Sequence, residues 1–245
     1  LAPGGARSAY ARVELDRLEL RRHVSTDPAA SLEEPAALPL VLVPPTDVRT
    51  IAFGRFTARS FLTPDRRIPM TATRTEVPAQ QSTEDVDVTV YLPAGLMPRD
   101  GWPVAIFGHG FGNDRHVVPM TVAGTLAHAG FATVAINVVG HGGGPQGTLT
   151  VLRVGHEAVP LPAAGRGVDV DGNGRIGATE GVSTRAPSPL ALIGSRDGLR
   201  QTTADLMQLV RAIRRGVDVD GDGRAGLVRE HIYYLGQSLG GIYGT

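Results

Sequence analysis

Apolar positions along the chain come in short runs whose period changes. Val104 to Phe107 is continuous and apolar, the pattern of a strand covered on both faces, and Phe131 to Val139 repeats it. Ile51 to Leu62 and Val86 to Leu92 alternate with period two, which predicts half-buried strands joined by a long excursion. Between the two continuous runs Pro119 stands in a first helical turn, Val122, Ala123, Leu126 and Ala127 share one face, and Gly130 follows the end. The spacing predicts a second helix over Asp197 to Arg214. Its apolar stripe is Leu199, Leu206, Leu209, Val210 and Ile213, and Ser195 is placed to cap it. Arg211, Arg214 and Arg215 crowd its last turn, where the helix dipole favours cations. A last run, Ile232 to Leu235, predicts one more strand. This order is that of a doubly wound, mostly parallel α/β sheet.

Two stretches resist this reading. Residues 1 to 50 form an N-terminal extension or linker without an assigned role. Within it Ala11 to Leu20 suits an exposed strand or a short helix, Ala29 to Pro45 is rich in Pro and Ala, and Leu40 to Val43 suits an edge strand. The domain proper then runs from 51 to 245, with an insertion at about 140 to 195 that is far longer than an ordinary connection.

The last strand runs into Gly236-Gln237-Ser238-Leu239-Gly240. A serine between glycines at this spacing, directly after a strand, reads as a nucleophile elbow. The turn from strand to helix is so tight that the central residue is strained and side chains at 236 and 240 would collide. A Gly-rich turn holding an ordinary serine is the plain alternative. Upstream, the strand ending at Phe107 opens into His109-Gly110-Phe111-Gly112. Acyl transfer through serine needs two backbone N–H donors about 3 Å from the developing oxyanion. Leu239, after the nucleophile, supplies one, and Phe111 in the His-Gly loop supplies the other. His109 walls that loop, and its alternatives are direct proton transfer or a purely structural place.

FGHGFGNDRH (Phe107 to His116), IGSRDGLRQTTADLMQLVRAIRRGVDVDGDG (Ile193 to Gly223) and IYYLGQSLGGIYGT (Ile232 to Thr245) together resemble the α/β-hydrolase superfamily, and within it the bacterial extracytoplasmic lipases and esterases. The resemblance runs from about Ile51 onward. It implies Ser238 as nucleophile, Phe111 and Leu239 as the oxyanion hole, and a secreted or envelope location. In this fold the acid and the histidine follow the serine, so both are expected beyond Thr245, with the chain as the N-terminal part of a longer protein.

A short repeat carries separate chemistry. Gly-Val-Asp-Val-Asp-Gly-Asn-Gly-Arg at 167 to 175 returns with Asp for Asn at 216 to 224. Three side-chain oxygens within five residues repel one another unless a hard cation sits among them, and calcium takes six to eight oxygens. The first loop offers Asp169, Asp171, Asn173, the carbonyl of Arg175, and Glu180 at position twelve, with Gly174 at the sharp turn. The second offers Asp218, Asp220, Asp222 and Arg224 in the place of Arg175, but Arg229 stands where the closing glutamate belongs and Glu230 is one residue late. Solvated Asp-Gly turns are the alternative. As a structural calcium site the first loop pins the insertion, a cation ordering it in place of a core, and the second, between the long helix and the nucleophile strand, fixes the approach to Ser238. A zinc site from His141 and His156 has no supporting spacing.

Composition narrows the class without choosing the reaction. Lys plus Arg and Asp plus Glu are each 24, all the basic ones are Arg, and they are scattered, so nothing points to nucleic acid. Cysteine is absent, which excludes disulfides and cysteine catalysis. No run approaches the roughly 20 apolar residues of a membrane span. The reading is a calcium-stabilised serine hydrolase of small-molecule or lipid esters. A peptidase or acyltransferase on the same fold, or a calcium-stabilised surface protein with a degenerate hydrolase fold, stands as the alternative.

Overall fold

The computed structural model describes residues 9–71, 76–181 and 190–244; part of the expected insertion, 182–189, lies outside these. The fold is mixed α/β. Strands β1 (Ala9–Ala11), β4 (Val48–Ser60), β5 (Ser82–Pro93), β6 (Trp102–Gly108), β7 (Ala132–Ile136) and β10 (Leu227–Gly236) form a six-stranded sheet in the order β1-β4-β5-β7-β6-β10. A smaller sheet has the order β3-β2-β8-β9, from β2 (Leu15–His23), β3 (Ala36–Ala37), β8 (Gly144–Arg153) and β9 (Val159–Pro162). Among the described residues three α-helices complete the fold: α1 (Val117–His128), α2 (Leu190–Arg214) and the short α3 (Leu239–Tyr243).

The large sheet is mixed, not mostly parallel. β7 pairs with β6 and β6 with β10 in parallel, whereas β1–β4, β4–β5 and β5–β7 are antiparallel. The reason is the supply of crossovers. A parallel pair needs a long connection over one face, and α1 and α2 are the two helices that provide it; β4 and β5 join as an antiparallel pair across their excursion.

Alternation along the strands sorts side chains onto two faces. Val86, Val88, Val90 and Leu92 of β5, Val104 and Ile106 of β6, and Val134 and Ile136 of β7 meet Leu206, Leu209 and Ile213 of α2, the stripe expected from spacing. The opposite face, including Ile51, Phe53 and Tyr91, packs on Met120, Ala123 and Ala127 of α1. α2 begins at Leu190, so Ser195 lies inside the helix and does not cap it. Leu190-Ala191-Leu192-Ile193 are adequate helix formers and carry it back past Gly194.

The N-terminal segment is woven into both sheets. β1 adds to β4, and β2 pairs with β8 of the insertion from Leu15↔Arg153 to His23↔Gly144. Leu15, Leu18, Leu20, Leu149, Val151 and Leu161 share one core with the α1 face of the large sheet. The described part of the insertion is held by strand pairing and apolar burial over 144–163, which corrects the expectation that it lacks a core. The edge strand expected at Leu40 to Val43 is a 3₁₀ turn over Leu40–Leu42, whose carbonyl at Leu40 and the next at Val43 accept from Arg12.

Leu18 is fully buried between the sheets. Leu18→Ala is expected to lower the unfolding free energy by about 2–5 kcal/mol in urea denaturation, as for a core leucine. A change within about 0.5 kcal/mol would mean that the small sheet is not part of the folded core.

Candidate active site

β10 delivers the chain to a sharp turn at Ser238, which is exposed and has φ 52° and ψ −118°, a left-handed conformation rare for a non-glycine residue. α3 starts immediately after it. The glycines either side are dictated by contact: a Cβ on Gly236 would lie 2.5 Å from Gly240 carbonyl carbon, and one on Gly240 would lie 2.1 Å from Gly108 oxygen. Gln237 N–H donates to Gly108 oxygen at 2.9 Å, so the parallel β6–β10 ladder runs directly into the turn. Thr203 of α2 donates to Tyr243 oxygen, Tyr243 OH donates to His109 oxygen at 3.1 Å, and Tyr234 OH donates to Gly240 oxygen at 2.6 Å. The strained residue is thus over-determined by its neighbours.

The loop after β6 lies beside this turn. A Cβ on Gly110 would stand 3.4 Å from Ser238 Cβ. Phe111 is 55% exposed, its ring edge-on to His141 at 5.5 Å, and Leu239 packs against the α2-side core. The loop holding His109 and Phe111 and the turn holding Ser238 and Leu239 therefore meet at the C-terminal ends of β6 and β10.

His109 is wholly buried and both ring nitrogens are occupied. Nδ1 donates to Gly110 oxygen at 2.8 Å, and Nε2 accepts from Val138 N–H at 3.1 Å, which fixes the neutral Nδ1–H tautomer. Burial pushes its pKa down to about 4. A ring so held ties the loop to the end of β7 and has no lone pair facing Ser238. His141 is buried too; its Nδ1 donates to Val139 oxygen and burial lowers its pKa.

Residues the sequence did not single out fasten the same loop. Asp114 accepts from His116 and Val117 N–H through Oδ1, opening α1, and pairs with Arg22 of β2 at 2.5 Å through Oδ2. Burial would raise its carboxyl, but His116, Arg22 and the backbone donors hold it well below the usual carboxylate range. Arg115, buried, donates to Ala164 oxygen and to Asp87, while its N–H meets Asn137 Oδ1 at 2.8 Å. Thr202 of α2 accepts from Val139 N–H. HGFGNDRH already held Asp114 and Arg115, but charged residues beside Gly read as surface.

The two acidic loops lie apart from this cluster in their hydrogen bonding. In the first, oxygens of Asp169, Asp171 and Glu180 converge within 4.8 Å of one another. Asp169 accepts from Gly172, Asn173 and Gly174, Asn173 from Arg175, and Glu180 from Val170 and Gly177. Arg175 bridges to Ser25 beside β2, through Thr26 N–H to Gly174 oxygen and Ile176 N–H to Val24 oxygen. In the second, Asp218, Asp220 and Asp222 converge, Asp218 accepts from Gly221 and Gly223, and Asp222 from Arg224. Asp220 also pairs with Arg49 at 3.2 Å, and Glu230 sits exposed on β10, outside the converging trio.

The buried neutral His109 sets an acid limit. Its folded pKa of about 4 lies below an unfolded value near 6.5, so its contribution is complete above 6.5 and is lost as pH falls toward 4. Stability is expected to fall by roughly 3 kcal/mol over that window from this group alone. His109→Gln, neutral at every pH, should flatten urea-unfolding stability against pH by about one proton; an unchanged slope would count against the assignment.

No protein-family model matches the chain, and the search of curated proteins gives no match. Among solved structures it is similar to an acetyl xylan esterase from Paenibacillus sp. R4, at 17% identity and a TM-score of 0.36, over 65% of this chain and 39% of that one. The chain thus spans well under two thirds of that protein, and a likeness of this size decides neither fold family nor reaction.

Proposed function

We propose that the chain carries the nucleophile and oxyanion hole of a serine carboxylic-ester hydrolase of lipase or esterase type, built on an α/β-hydrolase sheet. One observation carries the reading: the strained backbone of exposed Ser238 at a strand-to-helix turn, with the His109–Gly112 loop against it. The strand order β4-β5-β7-β6-β10, with helical crossovers between β6 and β7 and before β10, supports the fold assignment.

In this reading Ser238 Oγ attacks the ester carbonyl carbon. The oxygen that takes the negative charge faces the N–H groups of Phe111 and Leu239. The serine proton passes to a histidine base and from it to the alcohol as the carbon–oxygen bond breaks. Water then attacks the acyl carbon, giving its proton through the same base to Ser238 Oγ as the acyl–Oγ bond breaks and the carboxylic acid leaves. The occupied nitrogens of His109 argue against its acting as that base. The substrate is a small-molecule or lipid ester. No helix of the described residues is long and apolar enough to cross a membrane.

Calcium belongs to the same proposal as a structural ion. The inward-turned oxygens of the first loop fit it: Asp169, Asp171, Asn173, Glu180 and the Arg175 carbonyl would hold it, and its charge would offset their repulsion. The second loop fits in part, through Asp218, Asp220, Asp222 and the Arg224 carbonyl, with Arg49 already on Asp220. An extracytoplasmic setting would supply calcium at the concentration such sites need.

Ser238→Ala in the full-length protein is expected to abolish ester turnover and labelling by a fluorophosphonate probe while leaving the melting temperature intact. Near wild-type turnover in the folded variant would remove Ser238 as nucleophile.

Millimolar calcium is expected to stabilise the protein by about 1 kcal/mol per site if the loops bind near 10⁻⁴ to 10⁻³ M. Asp169→Ala should abolish more of the chelator-sensitive shift in melting temperature than Asp218→Ala. An unchanged melting temperature on chelation, with no metal in the purified protein, would leave both loops as plain turns.

A further inference from the structure

We infer that Arg22 and Asp114 are positioning residues for the oxyanion hole, so that the small sheet, not the large one alone, sets the place of the Phe111 N–H. This deepens the esterase reading and rests on it. The loop after β6 is fastened at two points. His109 fixes its start through Gly110 oxygen and Val138 N–H. Asp114 fixes its end, and between the two lie Gly110, Phe111, Gly112 and Asn113, turned back by the bond from Asn113 N–H to Gly110 oxygen at 3.2 Å.

Asp114 is 4% exposed and uses its two oxygens for different structures. Oδ1 holds the first N–H groups of α1, and Oδ2 meets the Nη2 of Arg22 at 2.5 Å. Arg22 projects from β2, whose partners are β3 and β8, and its other nitrogen donates to Glu33 at 3.3 Å. The guanidinium is thus aimed by the small sheet and delivers a charge-assisted bond to the end of the candidate oxyanion loop. Without it the buried carboxylate loses its strongest donor and has to seek water, drawing the loop outward. An oxyanion donor works over a narrow range near 2.7–3.1 Å, and a displacement of about 1 Å is enough to cost on the order of 100-fold in rate. Ground-state binding of the ester does not use that N–H in the same way, so the loss falls on kcat and not on KM.

The test is steady-state hydrolysis of a short-chain p-nitrophenyl ester by the full-length protein and its Arg22→Met, Arg22→Lys, Asp114→Asn and Ser238→Ala variants. The rates of the wild type and of the Arg22 and Asp114 variants are divided by the number of sites titrated with fluorophosphonate, that of Ser238→Ala by the protein concentration, beside thermal melting. Arg22→Met is expected to lower kcat per titrated site by roughly 10- to 100-fold with KM within about twofold, and Arg22→Lys to recover part of the loss. Asp114→Asn, which keeps an oxygen for the α1 donors, should behave as Arg22→Met does. If Arg22→Met does not fold, Arg22→Lys and Asp114→Asn decide on the same split. Wild-type kcat per titrated site in these variants, with only the melting temperature lowered, would make the pair merely structural and overturn the inference while the esterase reading stands. Turnover retained by Ser238→Ala would instead overturn that reading, and the inference with it.

Discussion

The guanidinium of Arg166 is the interaction on which the arrangement of layers depends. It is buried, and it donates to both oxygens of Glu84 on β5 at 2.9 Å, pairs with Asp205 of α2 at 2.8 Å and reaches Asn137 oxygen at the end of β7. Its own backbone closes two bonds with the turn at Gly140 and His141. One side chain of the insertion therefore joins the large sheet, the long helix and the loop beneath the candidate site. Removing a charge from water on this scale costs several kcal/mol, and the carboxylates and carbonyl around it are what offset that cost. Loss of either carboxylate would leave the cation under-compensated in the interior, a larger penalty than loss of a surface ion pair.

The candidate site follows from this frame by two kinds of restraint. Around Ser238 the restraint is steric: backbone approaches at Gly236 and Gly240 leave no space for side chains. Around the His109–His116 loop it is polar: a neutral histidine bonds backbone groups on either side of it, and an asparagine, two arginines and two aspartates bond one another and nearby backbone groups. The steric part is rigid and independent of pH. The polar part is held by groups with defined protonation states, so acid reaches the loop before it reaches the turn.

What was legible in the sequence divides along the same line. β6, β7, α1 and α2 announce themselves because their apolar residues repeat at the period of the element, and the glycines at 236 and 240 state a steric rule in the sequence itself. The small sheet does not announce itself. Leu18 and Leu20 alternate with Arg and Glu, and Leu149 and Val151 alternate with Thr, but nothing local in either segment says that they pair. Mixed strand direction is hidden for a related reason, since it follows from how few helical crossovers there are to join parallel pairs. The buried polar residues were harder still. Asp114, Arg115 and Arg166 have the composition of surface loops, and their burial depends on partners from β2, β5 and α2 that only the folded chain brings near.

The pairing of β2 with β8 also has a consequence for the order of events during synthesis. β2 leaves the ribosome well before its long partner strand, which extends from Gly144 to Arg153, is made. Until then Leu15, Leu18 and Leu20 have no sheet to cover them, and the strand carries open backbone donors and acceptors. Such a segment is a natural target for a holding chaperone, and the wait lengthens with every pause in translation before the insertion. Charges along β2, Arg17, Glu19, Arg21 and Arg22 among them, then act twice: on the nascent strand they discourage pairing with other chains, and after closure one of them fastens the loop beside Ser238.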